Sequence, residues 1–384
     1  MTPPTTDPAR DALTRDRIRG CLLGLTVGDA LGAPVRRRSL AEIRGWYGPH
    51  GITHFAPAFG GFGAVTAHSQ LALWSAESMM RAAMRSDKKG ICHPPSVVHH
   101  AYLRWLHTQG LPSNYPAYDP EEHDGWLVRE PSLFATREPG STTVQALQTG
   151  GFPTPEEPPN ASMGAACVPR TAAVGLLALP GWNHDIALGV AATTHGHPVA
   201  HHAAAALAVM VGHLVHGHTD LRTAATHGQR AVAEVAGQAK LRGDDLLGAQ
   251  LADANNALMQ ATGLGDGHFI GKHETGPSPA SPEHVERFGK GLVAHEALAI
   301  GTYAALAHRK DFRAGVTLAV NHSGASSTTG AIAGALLGAS LGEGAIPAAW
   351  RHHVELSDIT LQLADDLADY IAGGRMEWDR YPGW

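Results

Sequence analysis

Cysteine is scarce in this chain: only Cys21, Cys92 and Cys167 occur among its 384 residues. They lie far apart, and none belongs to a CxxC pair or has the spacing of a zinc site. A disulfide framework or a thiolate metal site is therefore not expected. Unpaired cysteines are usual in a reducing compartment, so the sequence predicts a cytoplasmic protein.

An excess of positive charge is missing as well. The chain has 29 Lys and Arg against 35 Asp and Glu, which gives a net charge of -6 at pH 7. Nucleic acids and anionic membrane surfaces are bound through a basic face. The composition therefore predicts neither nucleic acid nor membrane as a partner, and it leaves a small-molecule ligand as the expected one.

No long uninterrupted apolar segment occurs either. The longest candidate, residues 315–342, is broken by Asn321, His322 and a Ser/Thr cluster, and so fails as a membrane span. The first 19 residues mix Pro, Thr, Asp and Arg without the apolar centre of a signal peptide. We therefore predict a disordered leader over residues 1–15, followed by one domain over residues 16–384.

The β-branched and aromatic residues typical of strands are not enriched in the apolar runs, where Ala and Leu dominate at helical spacing. This pattern predicts an all-α fold, a single compact orthogonal multi-helix bundle. The predicted helices are Asp16–Leu31, Ser69–Arg85, Pro95–His107, Ile186–Thr193, Pro198–His216, Leu221–Ala239, Leu246–Ala261, Lys290–His308, Asp311–Val320, Thr328–Leu341 and Glu355–Tyr370. Two stretches rich in Pro and Gly, residues 110–159 and 262–282, are predicted to be long surface loops.

Six segments carry a family resemblance, and they occur in that family's order along the chain. They are Arg19–Gly32, Thr66–Leu73, Asn160–Arg170, Thr194–Pro198, Gly291–Leu298 and Asn321–Gly334. Together they resemble the ADP-ribosylglycohydrolase family, whose members remove ADP-ribose from arginine, serine and related acceptors. The resemblance implies an all-α bundle with a cleft that holds two magnesium ions between the second and the last of these segments.

The metal-binding aspartates of that family are missing here. The resemblance places them at Ala67, His68, Ala325 and Ser327, none of which is acidic. Magnesium requires oxygen ligands that include carboxylates, because neutral hydroxyls do not offset the desolvation of a divalent ion. We therefore expect no magnesium and no other cofactor. Arg36 stands where the family usually has a glutamate, so the cleft is predicted to be neutral or positive.

The resemblance also suggests which residues hold a ligand. Residues 160–166 resemble the Gly-rich loop whose backbone N–H groups approach the phosphates of ADP-ribose, and a plain tight turn is the alternative. His195 matches a histidine along the ADP-ribose pocket, and a buried or helix-capping histidine is the alternative. The candidate ligand-binding residues are Arg36, Thr66, Ser69, Ser162, Met163, Gly164, His195, Gly324, Ser326, Ser327 and Thr328.

Three functional hypotheses remain open. The first is a pseudoenzyme that binds ADP-ribose or a related nucleotide or sugar without magnesium-dependent hydrolysis. The second is an active, metal-independent glycoside hydrolase, in which His68 is the candidate catalytic residue because cleavage through an oxocarbenium-like state needs proton transfer. The third is a structural or partner-binding protein with an abandoned cleft. Zinc bound by His68, His197 and His295 is a further alternative.

Overall fold

The computed structural model of the chain describes residues 7–115, 124–177, 181–265 and 280–383. In this part of the chain, helices dominate and the strands form one short hairpin, so the prediction of an all-α bundle is confirmed. The helices are α1 (Pro8–Gly32), α2 (Leu40–Tyr47), α3 (Ala67–Lys89), α4 (Pro94–Thr108), α5 (Ser141–Gln148), α6 (Ala172–Leu177), α7 (Asn183–Ala192), α8 (Pro198–Val215), α9 (Leu221–Leu241), α10 (Asp245–Gly265), α11 (Pro282–Val285), α12 (Ala294–Ala307), α13 (Phe312–Val320), α14 (Ser326–Leu341), α15 (Ala348–His353) and α16 (Ser357–Ile371). The antiparallel strands are β1 (Pro57–Ala58) and β2 (Gly61–Phe62).

Helices α1 and α14 run antiparallel in direct backbone contact. Glycines recur every four residues on the facing sides, namely Gly20, Gly24, Gly28 and Gly32 on α1 and Gly330, Gly334 and Gly338 on α14. A Cβ atom added to Gly28 would lie 2.0 Å from the carbonyl oxygen of Gly330, so no side chain fits between the two helices. The contact brings the C-terminal end of α1 to the N-terminal end of α14, where the candidate site lies.

This contact makes Gly28→Ala strongly destabilising. We expect a loss of about 3 kcal/mol in the free energy of unfolding, because the added methyl group meets backbone atoms that cannot move aside. Gly237→Ala is the matched control. Gly237 is exposed within α9 and has no neighbour within 4 Å of an added Cβ, so that change should stabilise by about 0.5–1 kcal/mol. Urea denaturation measures the free energy of unfolding of both variants. Equal changes in Gly28→Ala and Gly237→Ala would contradict the close contact between α1 and α14.

The first helix begins earlier than predicted. Asp7 caps α1, because its carboxylate accepts hydrogen bonds from the backbone N–H groups of Ala9 (3.1 Å) and Arg10 (3.4 Å). Residues 8–15 are therefore helical, and the prediction of a disordered leader is wrong for them. Residues 1–6 lie outside the described residues.

Other boundaries differ from the prediction where tertiary contacts intervene. The helix predicted from Lys290 begins at Ala294, because Val293 pairs with Gly164 in an antiparallel bridge. The predicted loop over residues 110–159 contains α5, and residues 116–123 of it lie outside the described residues. In the second predicted loop, α10 extends to Gly265, and residues 266–279 likewise lie outside the described part.

Two helices in the described part of the chain are long and apolar enough to cross a membrane. They correspond to residues 8–35 and to α8, and 83% of the apolar window of each is buried inside the protein. Core helices of globular proteins pass the same test of length and composition, so this is weak evidence for a membrane span. The three cysteines are free, in agreement with the expectation of no disulfide.

Candidate functional site

The N-terminus of α3 is held by Asp29 from α1. The carboxylate of Asp29 accepts four hydrogen bonds: from Thr66 N (2.8 Å), Thr66 Oγ1 (2.7 Å), Ser69 N (3.2 Å) and Ser69 Oγ (2.6 Å). Asp29 is fully buried, and this burial raises its pKa while the four hydrogen bonds lower it. The predicted ligand-binding residues Thr66 and Ser69 are therefore engaged by Asp29, whose Oδ2 accepts three of these bonds and whose Oδ1 accepts one.

The N-terminus of α14 lies opposite that of α3. Its N-cap residue is Ala325, which offers no side-chain cap. Ser326 Oγ donates to the carbonyl oxygen of His322 (3.3 Å), whereas Ser327 Oγ is buried without a hydrogen-bond partner among the described residues. Gly324 precedes this end with φ of 133°, and an added Cβ there would lie 2.1 Å from the carbonyl oxygen of Lys290. The helix therefore begins without the acidic or hydroxyl cap that usually satisfies the first N–H groups.

His68 and Thr328 join the two helix ends. His68 Nε2 lies 2.9 Å from Thr328 Oγ1, and both side chains are buried. Burial lowers the pKa of His68 to about 3, and the charges of Arg36 and Arg170 reinforce the shift. His68 is therefore neutral at physiological pH and a weak proton acceptor, which is unfavourable for the predicted catalytic role.

The predicted Gly-rich loop is held against His195. Asn160 Oδ1 accepts hydrogen bonds from Ser162 N (2.9 Å) and Gly196 N (3.1 Å), and Ser162 Oγ accepts one from Gly164 N (3.2 Å). A Cβ atom added to Gly164 would lie 3.2 Å from His195 Nε2, so glycine allows this close approach.

The same loop contacts α12 through its backbone. The carbonyl oxygen of Met163 accepts a hydrogen bond from Ala294 N (2.8 Å). Two 3₁₀ turns, Ala165–Cys167 and Pro169–Thr171, follow before α6 begins. The chain therefore passes from the loop through two tight turns into α6, which begins at Ala172.

Arg170 is a residue of this region that the sequence did not single out. Its side chain is fully buried, its Nη2 donates to Thr194 Oγ1, and its Cζ lies 4.8 Å from the ring centroid of Tyr102. Thr194 Oγ1 also lies 2.9 Å from His195 Nδ1. Burial lowers the pKa of His195 well below its usual value, and the charges of Arg170 and His68 add to the effect. Arg170, His68 and His195 therefore belong to one electrostatically connected region.

Arg36 lies at the rim of this region. Its guanidinium forms an ion pair with Glu138, whose side chain is 51% exposed, and is itself 13% exposed. Burial lowers the pKa of Arg36, and the charge of Glu138 opposes that effect. Ser162, Met163 and Gly164 are also half-buried, so these residues and Arg36 form the solvent-facing side of the site. A ligand phosphate at Arg36 would compete with Glu138.

The predicted residues are therefore partly brought together. The ends of α3 and α14 meet through His68 and Thr328, and the loop with Gly164 meets His195. Among the described residues, no group of three or more His, Cys, Asp or Glu side chains is arranged to hold a metal ion. The side chains gathered here are hydroxyls and imidazoles, together with Arg36, Arg170 and the buried carboxylate of Asp29.

Comparisons with known proteins agree with this architecture. A model of the family described as ADP-ribosylglycohydrolase matches residues 10–376. The ADP-ribosyl-[dinitrogen reductase] glycohydrolase of Rhodospirillum rubrum is 26% identical over 353 residues, which cover 89% of this chain and 91% of that protein. A solved structure titled ADP-ribosylglycohydrolase-related protein complex has the same fold, with a TM-score of 0.60, 24% identity, and coverage of 94% of this chain and 99% of that one. The chain therefore belongs to the ADP-ribosylglycohydrolase family.

Proposed function

We propose that this protein binds ADP-ribose, or a related nucleotide or sugar, in the cleft between the ends of α3 and α14 without magnesium. The observation that carries the proposal is the direct hydrogen bond between His68 and Thr328 at the point where two helix N-termini meet. A divalent cation there would need several carboxylates. The carboxylate of Asp29 is already hydrogen-bonded by Thr66 and Ser69, and a single carboxylate is too few for such a cation.

Family membership supports an ADP-ribosyl ligand. The Rhodospirillum rubrum relative is named for its action on an ADP-ribosylated protein, and the match covers most of both chains. The hydroxyls and backbone N–H groups around Ser327 and the loop at Gly164 are suited to the ribose and phosphate groups of such a ligand.

Absence of magnesium-dependent hydrolysis is part of the same proposal. Cleavage of a ribosyl bond needs a general acid and an activated water. His68, with its pKa of about 3, is almost never protonated at pH 7 and is also a weak base. Neither step therefore has an evident catalyst at the end of α3.

Calorimetric titration with ADP-ribose tests the proposal, run once with magnesium and once with EDTA. We expect binding with the same Kd in both, because the described residues include no group of three or more His, Cys, Asp or Glu side chains that could hold a metal ion. Binding only with magnesium would contradict the proposal, and no binding in either would indicate an abandoned cleft. A variant with Ala67→Asp, His68→Asp, Ala325→Asp and Ser327→Asp is the control, since it restores the family's carboxylates and should make binding sensitive to EDTA.

Hydrolysis of an ADP-ribosylated protein substrate is measured with the same protein samples, with magnesium and with EDTA. We expect no release of ADP-ribose from an ADP-ribosylated protein substrate. Turnover that persists in EDTA and is lost in His68→Ala would instead establish the metal-independent hydrolase.

A further inference from the structure

We infer that the buried region between Arg170 and the N-terminus of α14 binds a compact oxyanion directly, in the form of a phosphate group of the ligand. This inference rests on the proposed function in naming the ligand group, but it has a test of its own.

The first observation is the unpaired charge of Arg170. The side chain has no exposed surface, and its Nε and Nη1 atoms are buried without a hydrogen-bond partner among the described residues. Its partners are neutral: the hydroxyl of Thr194 and the ring face of Tyr102. An ion without a counter-ion in the interior is strongly unfavourable, and so are unpaired donors. A ligand anion would satisfy both the charge and the two donors.

The other buried arginines show that the chain normally pairs such charges. Arg81 and Arg104 are almost as buried as Arg170, and each contacts the fully buried carboxylate of Glu77, at 3.1 and 3.0 Å respectively. Arg81 also contacts Asp124 at 2.5 Å. Arg170 thus differs from both of them in having no carboxylate within ion-pair distance in the described part of the chain.

The second observation comes from α14. The N-terminal end of this 16-residue helix is buried and has no side-chain cap, and Ser327 Oγ beside it has no partner among the described residues. The free N–H groups of a helix N-terminus carry a partial positive charge that favours anions. The 3₁₀ turn that carries Arg170, Pro169–Thr171, packs against α3, α8 and α14, so both features belong to the same region.

The neighbouring side chains do not cancel this positive charge. His68 and His195 are neutral near pH 7. The carboxylate of Asp29 is bound by Thr66 and Ser69, and among the described residues it forms no ion pair with Arg170. A phosphate fits such a place, because its oxygens accept several hydrogen bonds from a guanidinium, a hydroxyl and backbone N–H groups together.

Anion binding is tested first with inorganic phosphate in EDTA, by calorimetry and by the shift in Tm. We expect a Tm increase in the wild-type protein and loss of at least about tenfold in affinity in Arg170→Met, because a hydrogen bond to a charged group is removed. Arg170→Met should also raise the Tm of the ligand-free protein, since it removes an unpaired buried charge. Arg37→Met, at an exposed position near the cleft, should change neither.

Ser327→Ala provides a second variant in case Arg170→Met does not fold. We expect it to fold normally and to bind phosphate several-fold more weakly, because it deletes a buried hydroxyl without a partner. Phosphate binding that is the same in wild type and Ser327→Ala, or in wild type and Arg170→Met, would overturn the inference. So would a wild-type protein that shows no response to phosphate.

The source of the oxyanion is separated by comparing ADP-ribose with adenosine, which has no phosphate, and with acetate. The inference predicts binding of ADP-ribose that weakens in Arg170→Met, and no binding of adenosine at the same concentration. Phosphate binding that depends on Arg170, without any binding of ADP-ribose, would support the anion site while refuting the proposed function. ADP-ribose binding that is unchanged in Arg170→Met would support the proposed function and refute the anion site. A response to acetate equal to that of phosphate would overturn the assignment to a phosphate group.

Discussion

Lowering the pH from 7.5 to 5 is expected to reduce the free energy of unfolding by at least about 6 kcal/mol. Three buried histidines account for this amount, namely His68, His99 and His202, each with a pKa lowered to about 3, and His322, with a pKa lowered to about 4, adds to it. Burial is the largest cause in all four. The expected loss is comparable to the whole stability of a typical domain, so unfolding should begin near pH 5.

The sign follows from the direction of the pKa shifts. An unfolded histidine titrates near pH 6.5, so below that pH the unfolded chain binds protons that the folded protein does not accept. Each such histidine removes about 1.4 kcal/mol per pH unit, or about 2 kcal/mol between pH 6.5 and 5. The stability that depends on neutral histidines is therefore fully present above pH 6.5 and falls as the pH decreases towards 3.

His99 allows a matched test. Neither of its ring nitrogens has a hydrogen-bond partner among the described residues, and its ring meets those of Tyr115 and Phe152 edge-on. His99→Phe keeps the ring and removes the proton-binding group. We expect its stability to stay within about 1 kcal/mol of wild type at pH 7.5 and to exceed it by about 2 kcal/mol at pH 5.

Urea denaturation at both pH values measures these differences. His50→Gln, at an exposed position, is the control and should follow the wild-type pH dependence. A wild-type protein equally stable at pH 7.5 and pH 5 would show that the buried histidines take up protons without unfolding.

Periodicity in the sequence predicts the long helices, because each has a buried face that repeats many times. It misses α2 and α5, since eight residues give too few repeats to stand out from a loop. It also extends α12 too far towards its N-terminus, because the pairing of Val293 with Gly164 joins residues that are distant in the chain. Local patterns contain no information about such a contact.

The site could be predicted only in part for the same reason. Resemblance locates the segments that contain His68 and Thr328, but it does not show that these two side chains meet or that Thr66 and Ser69 are engaged by Asp29. Arg170 could have been found from one signal. It is the only charged residue between residues 160 and 177, a stretch composed mainly of small and apolar residues, so its side chain is expected to be buried or bound.

Replacing Asp29 is expected to have the second largest effect on the protein. We expect Asp29→Ala to lower the free energy of unfolding by at least about 4 kcal/mol, because four donors of Thr66 and Ser69 then lose their acceptor in the protein interior. Asp220→Ala is the control for a helix-capping carboxylate. Asp220 caps α9 at its N-terminus in an exposed position, so its loss should cost only about 1 kcal/mol.

Asp29→Asn separates the hydrogen bonds of this residue from its charge. The amide oxygen can accept the bonds from Thr66 N, Ser69 N and Ser69 Oγ, and the amide nitrogen can donate to Thr66 Oγ1, so we expect a folded protein of intermediate stability. Because Thr66 Oγ1 also accepts from His68 N (3.2 Å), a folded Asn variant should keep His68 in place and keep ADP-ribose binding within a few-fold of wild type. Calorimetry with ADP-ribose on this variant decides the role of Asp29. A complete loss of ADP-ribose binding in a folded protein would mean that the negative charge itself contacts the ligand. Retention of ADP-ribose binding would mean that Asp29 acts by holding the end of α3.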